Sequence, residues 1–254
     1  MKTFWPRLLA TTLVPVALFV LWYVASSDSG NFFFPPLAKI LAAFDKVWIN
    51  AGGFGDIAIS LWRLAIGFLA SLIFSLVVGV VLGLSKSARD YTEPVFEFFR
   101  AIPPTVMIPV LLVVSGIGDA SKIAVISFGC LWPMLLNTIE GVRSIDPVLK
   151  DTCRVYRIHG LRRLFSLTLP AAAPQIVTGM RTGLSIAIIL MVISEMFASR
   201  NGMGFMIIQF QRTFSIPEMW SGILLLGLIG VLLSLLMRVV ELWVLGWYER
   251  SRVR

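Results

Sequence analysis

The chain has 254 residues, of which 57% are apolar and 14% charged, with a formal net charge of +8. Soluble domains carry roughly 25% charged residues, and a mean hydropathy of +0.87 is far above their range. These values exclude an ordinary soluble enzyme and point to one membrane domain with little mass outside the bilayer. The two cysteines, Cys130 and Cys153, form neither a disulfide framework nor a CxxC pair, and both read as ordinary reduced residues. His159 is the only histidine, which argues against a His-based metal site.

A membrane-crossing helix needs about 20 mainly apolar residues. Windows of this kind run, in order, over Leu8–Ser27, Leu64–Ser85, Ala101–Gly118, Ile123–Ile139, about Ala172–Ala198 and Met219–Met237. The expected fold is therefore all-α and polytopic, with about six transmembrane helices. Lys2 and Arg7 ahead of the first window resemble the charged start of a signal peptide. The apolar run is long and lacks a clean small-residue cleavage site, so it reads as an uncleaved anchor. The third window is short and contains Pro103, Pro104 and Pro109. Leu164–Met180 is uncharged too, but Pro170 and Pro174 disfavour a helix interior, and the segment reads as a connector entering the fifth span.

Six spans place both termini on one side. With the termini inside, fifteen basic residues fall in cytoplasmic segments: Lys2, Arg7, Lys86, Arg89, Arg100, Arg143, Lys150, Arg154, Arg157, Arg162, Arg163, Arg238, Arg250, Arg252 and Arg254. Six fall outside: Lys39, Lys46, Arg63, Lys122, Arg200 and Arg212. This bias favours cytoplasmic termini, and it accounts for the positive charge without a nucleic-acid partner. Asn31–Pro36 (NFFFPP) reads as an interfacial aromatic anchor, followed by a short amphipathic helix, Leu37–Trp48, on the outer surface.

The longest cytoplasmic loop is Glu140 to about Ala171. Asp146-Pro147 reads as the N-cap and first residue of a helix, and Gly160 as the residue that ends it. Val148, Thr152, Val155 and Tyr156 share one face; Lys150, Arg154 and Arg157 share another. A second short helix, Leu161–Leu169, is expected to stop at Pro170. A helix of this kind can lie on lipid headgroups or dock into a soluble partner, and its residue pattern leaves both open.

The run from Asp151 to Ile176, DTCRVYRIHGLRRLFSLTLPAAAPQI, resembles the EAA loop of binding-protein-dependent ABC importer permeases. In that family pattern a glycine follows the Glu by six residues, and the Pro of a Leu-Pro pair follows the glycine by thirteen. Counting back from Leu169-Pro170 puts Asp151, Thr152 and Cys153 at the E-A-A positions and Arg157 at the glycine position; the nearest glycine, Gly160, is displaced. FFFPP at Phe32–Pro36, SLWRLAIGF at Ser60–Phe68, EFFRAIPPTVMIPVLLVVSGIGDASKI at Glu97–Ile123 and SEMFASRNGMGFMI at Ser194–Ile207 resemble the nitrate/sulfonate/taurine branch.

The resemblance implies a type I importer permease in the bacterial inner membrane that passes a small solute, such as a sulfonate, taurine, nitrate or a similar anion. It implies a single permease domain over 1–254, with an anchor and outer segment (1–59), a core (60–240) and a cytoplasmic coupling loop (140–171). The implied partners are two ABC ATPase subunits, an extracytoplasmic solute-binding protein, a second permease copy and membrane lipid. The coupling residues it implies are Asp151, Thr152, Cys153, Arg154, Val155, Tyr156, Arg157 and Gly160.

A P-loop requires a glycine-lysine step, and none of the six lysines follows a glycine. No cofactor or metal is therefore expected on this chain, and ATP with its magnesium belongs to the partner subunits. The alternative is a stand-alone secondary transporter or channel, which would call for internal repeats and mid-membrane charges. Two in-span charges are candidates for a substrate pathway. Glu195 faces a cavity or, as the simpler reading, ends a helix in contact with water and Arg200. Arg181 helps to pass an anion or, more simply, snorkels to the cytoplasm. Asp119, between Gly118 and the fourth span, reads as an outer turn. Gly79 and Gly83 read as a close helix contact. With Arg157 in place of glycine, the coupling helix is expected to run on to about His159 and to carry a Lys150–Arg154–Arg157 basic stripe.

Overall fold

The computed structural model describes residues 4–27, 30–50, 52–197 and 199–252. Lys2 and Arg254, counted in the charge bias, and Ala198, the expected end of the fifth span, lie outside them. The described residues form helices α1 (Phe4–Ser26), α2 (Leu37–Phe44), α3 (Phe54–Leu84), α4 (Lys86–Ala101), α5 (Met107–Ser115) and α6 (Asp119–Arg143). There follow α7 (Pro147–Val155), α8 (Gly160–Arg163), α9 (Leu169–Met196), α10 (Met203–Arg212) and α11 (Ile216–Arg252). Among them, Phe54–Leu84, Asp119–Arg143, the continuous helical run Gly160–Met196 and Ile216–Tyr248 are long and apolar enough to cross a membrane.

Small residues set the core. Along α3, Gly67, Ser71, Ser75, Gly79 and Gly83 recur every fourth position, so they form one stripe. A Cβ added at Gly67, Gly79 or Gly83 would lie 2.6 to 2.7 Å from side-chain atoms of Ile126, Thr138 or Val142 of α6. The partner is 59 positions further on each time, so α3 and α6 run parallel. The serines serve the same contact: Ser71 donates to the Ser127 carbonyl at 2.7 Å and Ser75 to the Leu131 carbonyl at 3.3 Å. Close backbone approach through small residues is the usual way apolar helices associate in lipid, and the sequence reading of Gly79 and Gly83 holds. The α6–α9 contact runs the other way. Gly141 meets Ala172 and Gln175, whereas Gly129 meets Ile186 and Leu190, so these helices are antiparallel. α11 returns alongside α9, with Arg181 paired to Glu241.

Because α3 and α6 are parallel, the chain must climb back between them, and it does so in two pieces. Phe96 and Phe99 of α4 pack on Trp132, and Pro104 meets Gly129. The expected third span is thus a bent passage, not one helix. Its apolar part, α5, has nine residues and covers only ~13 Å of the ~30 Å core. The bend falls at the extended Ile102 ahead of Pro103-Pro104, where the residue preceding a proline is driven out of helical geometry. Arg100 consequently sits part-way up the bundle.

Two further sequence expectations change. Helix α3 starts at Phe54, ten residues before the second apolar window, since Arg63 is buried and paired and not looped out. Pro170 does not stop a helix. A π-helical turn over Leu164–Thr168 precedes it and places Pro170 in the first turn of α9, where its missing N–H costs little.

The segment ahead of α3 folds over the end of the bundle. Leu37, Ile40 and Ala43 of α2 are buried, and Trp48 is 1% exposed and donates to Ser221 of α11 at 3.0 Å. Phe34 packs edge-on against Trp220, whose Nε1 donates to the Phe33 carbonyl.

Candidate coupling loop and buried polar cluster

The two ends of the bundle carry different chemistry. At the loop end, α7 is capped at both termini. The Asp146 carboxylate accepts from Val148 N at 2.8 Å, and Pro147 follows it, as the sequence predicted. The other end differs from expectation. α7 stops at Val155, short of His159, and Arg157 adopts φ 54°. Ile158 N donates to the Cys153 carbonyl at 2.8 Å and Arg157 N to the Arg154 carbonyl at 3.2 Å. These two bonds are those of a Schellman cap with Arg157 as its left-handed residue. Arg157, which the resemblance puts at the family's glycine position, thus takes a backbone conformation that glycine adopts most readily, and it leaves the helix, so no continuous Lys150–Arg154–Arg157 stripe forms. Gly160, at φ 57°, opens α8 and does not close α7.

Of the remaining loop residues, Asp151 pairs with Arg154 at 2.8 Å, Thr152 donates to the Val148 carbonyl and Cys153 is buried. Val148, Val155 and Tyr156 are 68%, 78% and 73% exposed. α7 is thus a short capped helix that holds large apolar side chains away from the protein's own core.

At the far end, a polar cluster is buried among α3, α6, α9 and the turn entering α10. Glu195 has no exposed surface and Arg63 only 2%. The Glu195 carboxylate accepts from Arg63 Nη1 at 2.8 Å, from Ser60 Oγ at 2.8 Å and from Gly204 N at 3.0 Å. Ser60 Oγ in turn accepts from Met203 N, and Asp56 accepts from Gly202 N at 2.6 Å. Carboxylates thus satisfy free N–H groups at the start of α10, as the helix dipole favours. Gly202 has φ 107°, and a Cβ there would lie 2.5 Å from the Glu195 carboxylate; only glycine lets the turn close over that group. Arg63 also bonds Asp119 through Nε and Nη2, and both the carbonyl and the side chain of Asn201.

The simpler sequence readings of Glu195 as a wetted partner of Arg200 and of Asp119 as a plain turn residue are therefore corrected. Arg181 is held by Glu241 and does not reach alone for the headgroups.

The profile of the family described as "Binding-protein-dependent transport system inner membrane component" matches residues 71–246. The chain belongs to this family. The permease is similar to the taurine transport system permease protein of Escherichia coli, at 30% identity over 98% of this chain and 94% of the relative. It is similar to the putative aliphatic sulfonates transport permease protein of Bacillus subtilis, at 28% over 92% and 86%, and to the nitrate import permease protein of Synechocystis, at 28% over 93% and 89%. In fold it resembles the inward-facing MetNI methionine ABC transporter, with a TM-score of 0.58, 19% identity and coverage of 72% of this chain and 94% of that one.

The buried cluster unites three stretches of the permease that the sequence reading had quoted apart: Ser60–Phe68, Glu97–Ile123 and Ser194–Ile207. Arg63, Ser60 and Asp56 were missed as site residues. The signal that could have found them was an Arg beside the second apolar window and an acid within the fifth, opposite charges that each need a partner.

Proposed function

We propose that two copies of the permease enclose a path for a small oxyanion, and that two separate ATPase subunits drive it from the loop end. A solute-binding protein delivers the cargo at the far end. ATP and its magnesium reside on the ATPases, and this chain is no enzyme. The observation that carries the reading is α7: a capped helix between two long spans, at the position of the family's coupling loop, with Val148, Val155 and Tyr156 turned outward. These side chains fill a groove in the ATPase, and Arg154 and Arg157 flank them. Moving Arg63 and Lys122 into buried positions of α3 and α6 leaves Lys39, Lys46, Arg200 and Arg212 as the basic residues of the outer count. The positive-inside bias is sharper for it, which supports a cytoplasmic loop end and cytoplasmic termini. The taurine, sulfonate and nitrate relatives supply the substrate class.

Tyr156→Ala tests the reading: the permease inserts at wild-type levels, while ATPase co-purification and uptake fall. Normal uptake by this variant refutes the docking role. Differently tagged copies co-purify if the dimer is a homodimer; recovery of only a distinct permease refutes that. A cysteine at position 45 reacts with an impermeant reagent in intact cells, and labelling only after lysis reverses the topology.

A further inference from the structure

At the far end a pocket of about 250 Å3 opens beside the buried cluster, lined among others by Arg63, Asp119, Lys122, Ser199, Arg200 and Asn201. It lies below the ~300–1,000 Å3 typical of drug-sized ligands, so it suits a small solute. We propose that it is an anion site, in which an oxyanion of the transported solute replaces Asp119 on the Nε–Nη2 edge of Arg63. The proposal rests on the reading of the permease as an oxyanion importer and names a place where the cargo binds.

The five N–H donors of Arg63 divide into a fixed set and an exchangeable set. Nη1 donates to Glu195 at 2.8 Å and to the Asn201 carbonyl at 3.2 Å; Nη2 donates to Asn201 Oδ1 at 2.5 Å. These partners hold the guanidinium in place. The other edge, Nε and Nη2, is taken by Asp119 through a single oxygen, Oδ1, at 2.8 and 2.6 Å. A sulfonate, carboxylate or nitrate offers one oxygen to each donor, the fork geometry that arginine matches best.

Burial makes the exchange feasible. Arg63 is 2% exposed, whereas the Asp119 side chain is 61% exposed. Asp119 is already largely hydrated, so the main cost of swinging out is the two bonds to Arg63, which an incoming oxyanion replaces. Removing it without replacement would leave the Arg63–Glu195–Lys122 group with an uncompensated positive charge, which is costly in the interior. An incoming anion restores the balance. Lys122 is 3% exposed and donates to the Gly118 carbonyl at the pocket wall, and Arg200 adds an exposed positive charge at the mouth, which draws anions towards it.

The test uses the full-length permease in lipid nanodiscs, titrated with methanesulfonate, with its neutral relative dimethyl sulfone and with chloride, read as thermal stabilisation. Methanesulfonate gives a saturable shift in the wild type that the other two do not. Asp119→Asn and Asp119→Ser, which remove the competing carboxylate, bind it roughly tenfold tighter, because a charge-assisted fork no longer has a rival. Arg200→Gln weakens binding in either background. Equal stabilisation by dimethyl sulfone, no shift in the wild type, or unchanged affinity in an Asp119 variant that folds overturns the site. Uptake in cells separates this from the wider reading. Normal anion uptake with no tightening in the Asp119 variants removes the pocket and leaves the transport function standing. A binding protein that selects a neutral solute removes the substrate class and leaves the nanodisc titration to decide the pocket.

Discussion

The two ends of the bundle solve opposite problems with similar residues. At the far end, Arg63, Glu195 and Asp119 come from α3, α9 and α6, separated by up to 132 positions, and the first two are almost wholly buried. At the loop end, Arg154 and Asp151 are three residues apart, mostly exposed and joined by a local ion pair. Arg63 and Glu195 each need the other, since removing one leaves its partner desolvated. The loop-end charges are screened by water and are each dispensable for folding. The apolar residues invert the pattern: Trp48 is driven into the far end, while Val155 and Tyr156 stay exposed at the end of α7. An end that must hold helices together buries its polar groups in pairs. The loop end keeps apolar groups outside and secures its shape with caps, as the proposed docking role would require.

The comparison is broken most severely at Arg63. Arg63→Leu leaves Glu195 buried without its cation and costs about 3–5 kcal/mol, seen as a large fall in thermal stability in detergent. The double variant Arg63→Leu/Glu195→Leu recovers a substantial part of that loss. A double variant no more stable than the single one would show that the pair is not energetically coupled.

The next effect lies in the helix contact between the ends. Gly83→Ala places a Cβ 2.6 Å from Val142 Cβ and costs about 1–3 kcal/mol through overpacking. Val142→Gly in the same chain removes that Cβ and recovers part of the stability, measured by denaturant titration.

The loop end responds less and in the opposite direction. Arg157→Gly relieves a left-handed conformation and stabilises the cap by about 1 kcal/mol. Hydrogen exchange at the Ile158 amide, which closes the cap, slows roughly five-fold for the same energy. Arg157→Val has the reverse effect. Smallest is Asp151→Asn, which removes an exposed i,i+3 pair worth less than about 0.5 kcal/mol. Its melting temperature stays at the wild-type value, so any loss of uptake reports contact with a partner and not folding.

Much of this architecture was legible along the chain. Apolar windows located α1, α6, α9 and α11, and Asp146-Pro147 marked the start of α7, because hydrophobic length and N-cap chemistry are local properties. The small-residue stripe was half seen, with Gly79 and Gly83 recognised but Gly67, Ser71 and Ser75 passed over, since serines at a helix contact look polar until their hydroxyls are found on carbonyls of α6. Arg157 misled for a different reason. Helix propensity favours arginine by about 1 kcal/mol over glycine, yet the two Schellman hydrogen bonds and the need to turn towards α8 outweigh it. Pro170 misled because a π-helical turn before it makes proline compatible with a long helix.

The sequence alone determined that this chain lies in a membrane, where its main helices run, which end gathers the basic residues and which family it resembles; all of these depend on composition, periodicity and spacing. Only the tertiary structure decided that Arg63 belongs with Glu195 and Asp119, and that α3 and α6 run parallel with a bent return between them. It alone decided that Arg157 closes a cap where a helix was expected to continue. Each depends on contacts between distant segments, and the energy of desolvating a charge or approaching a backbone is set by what arrives from elsewhere in the chain.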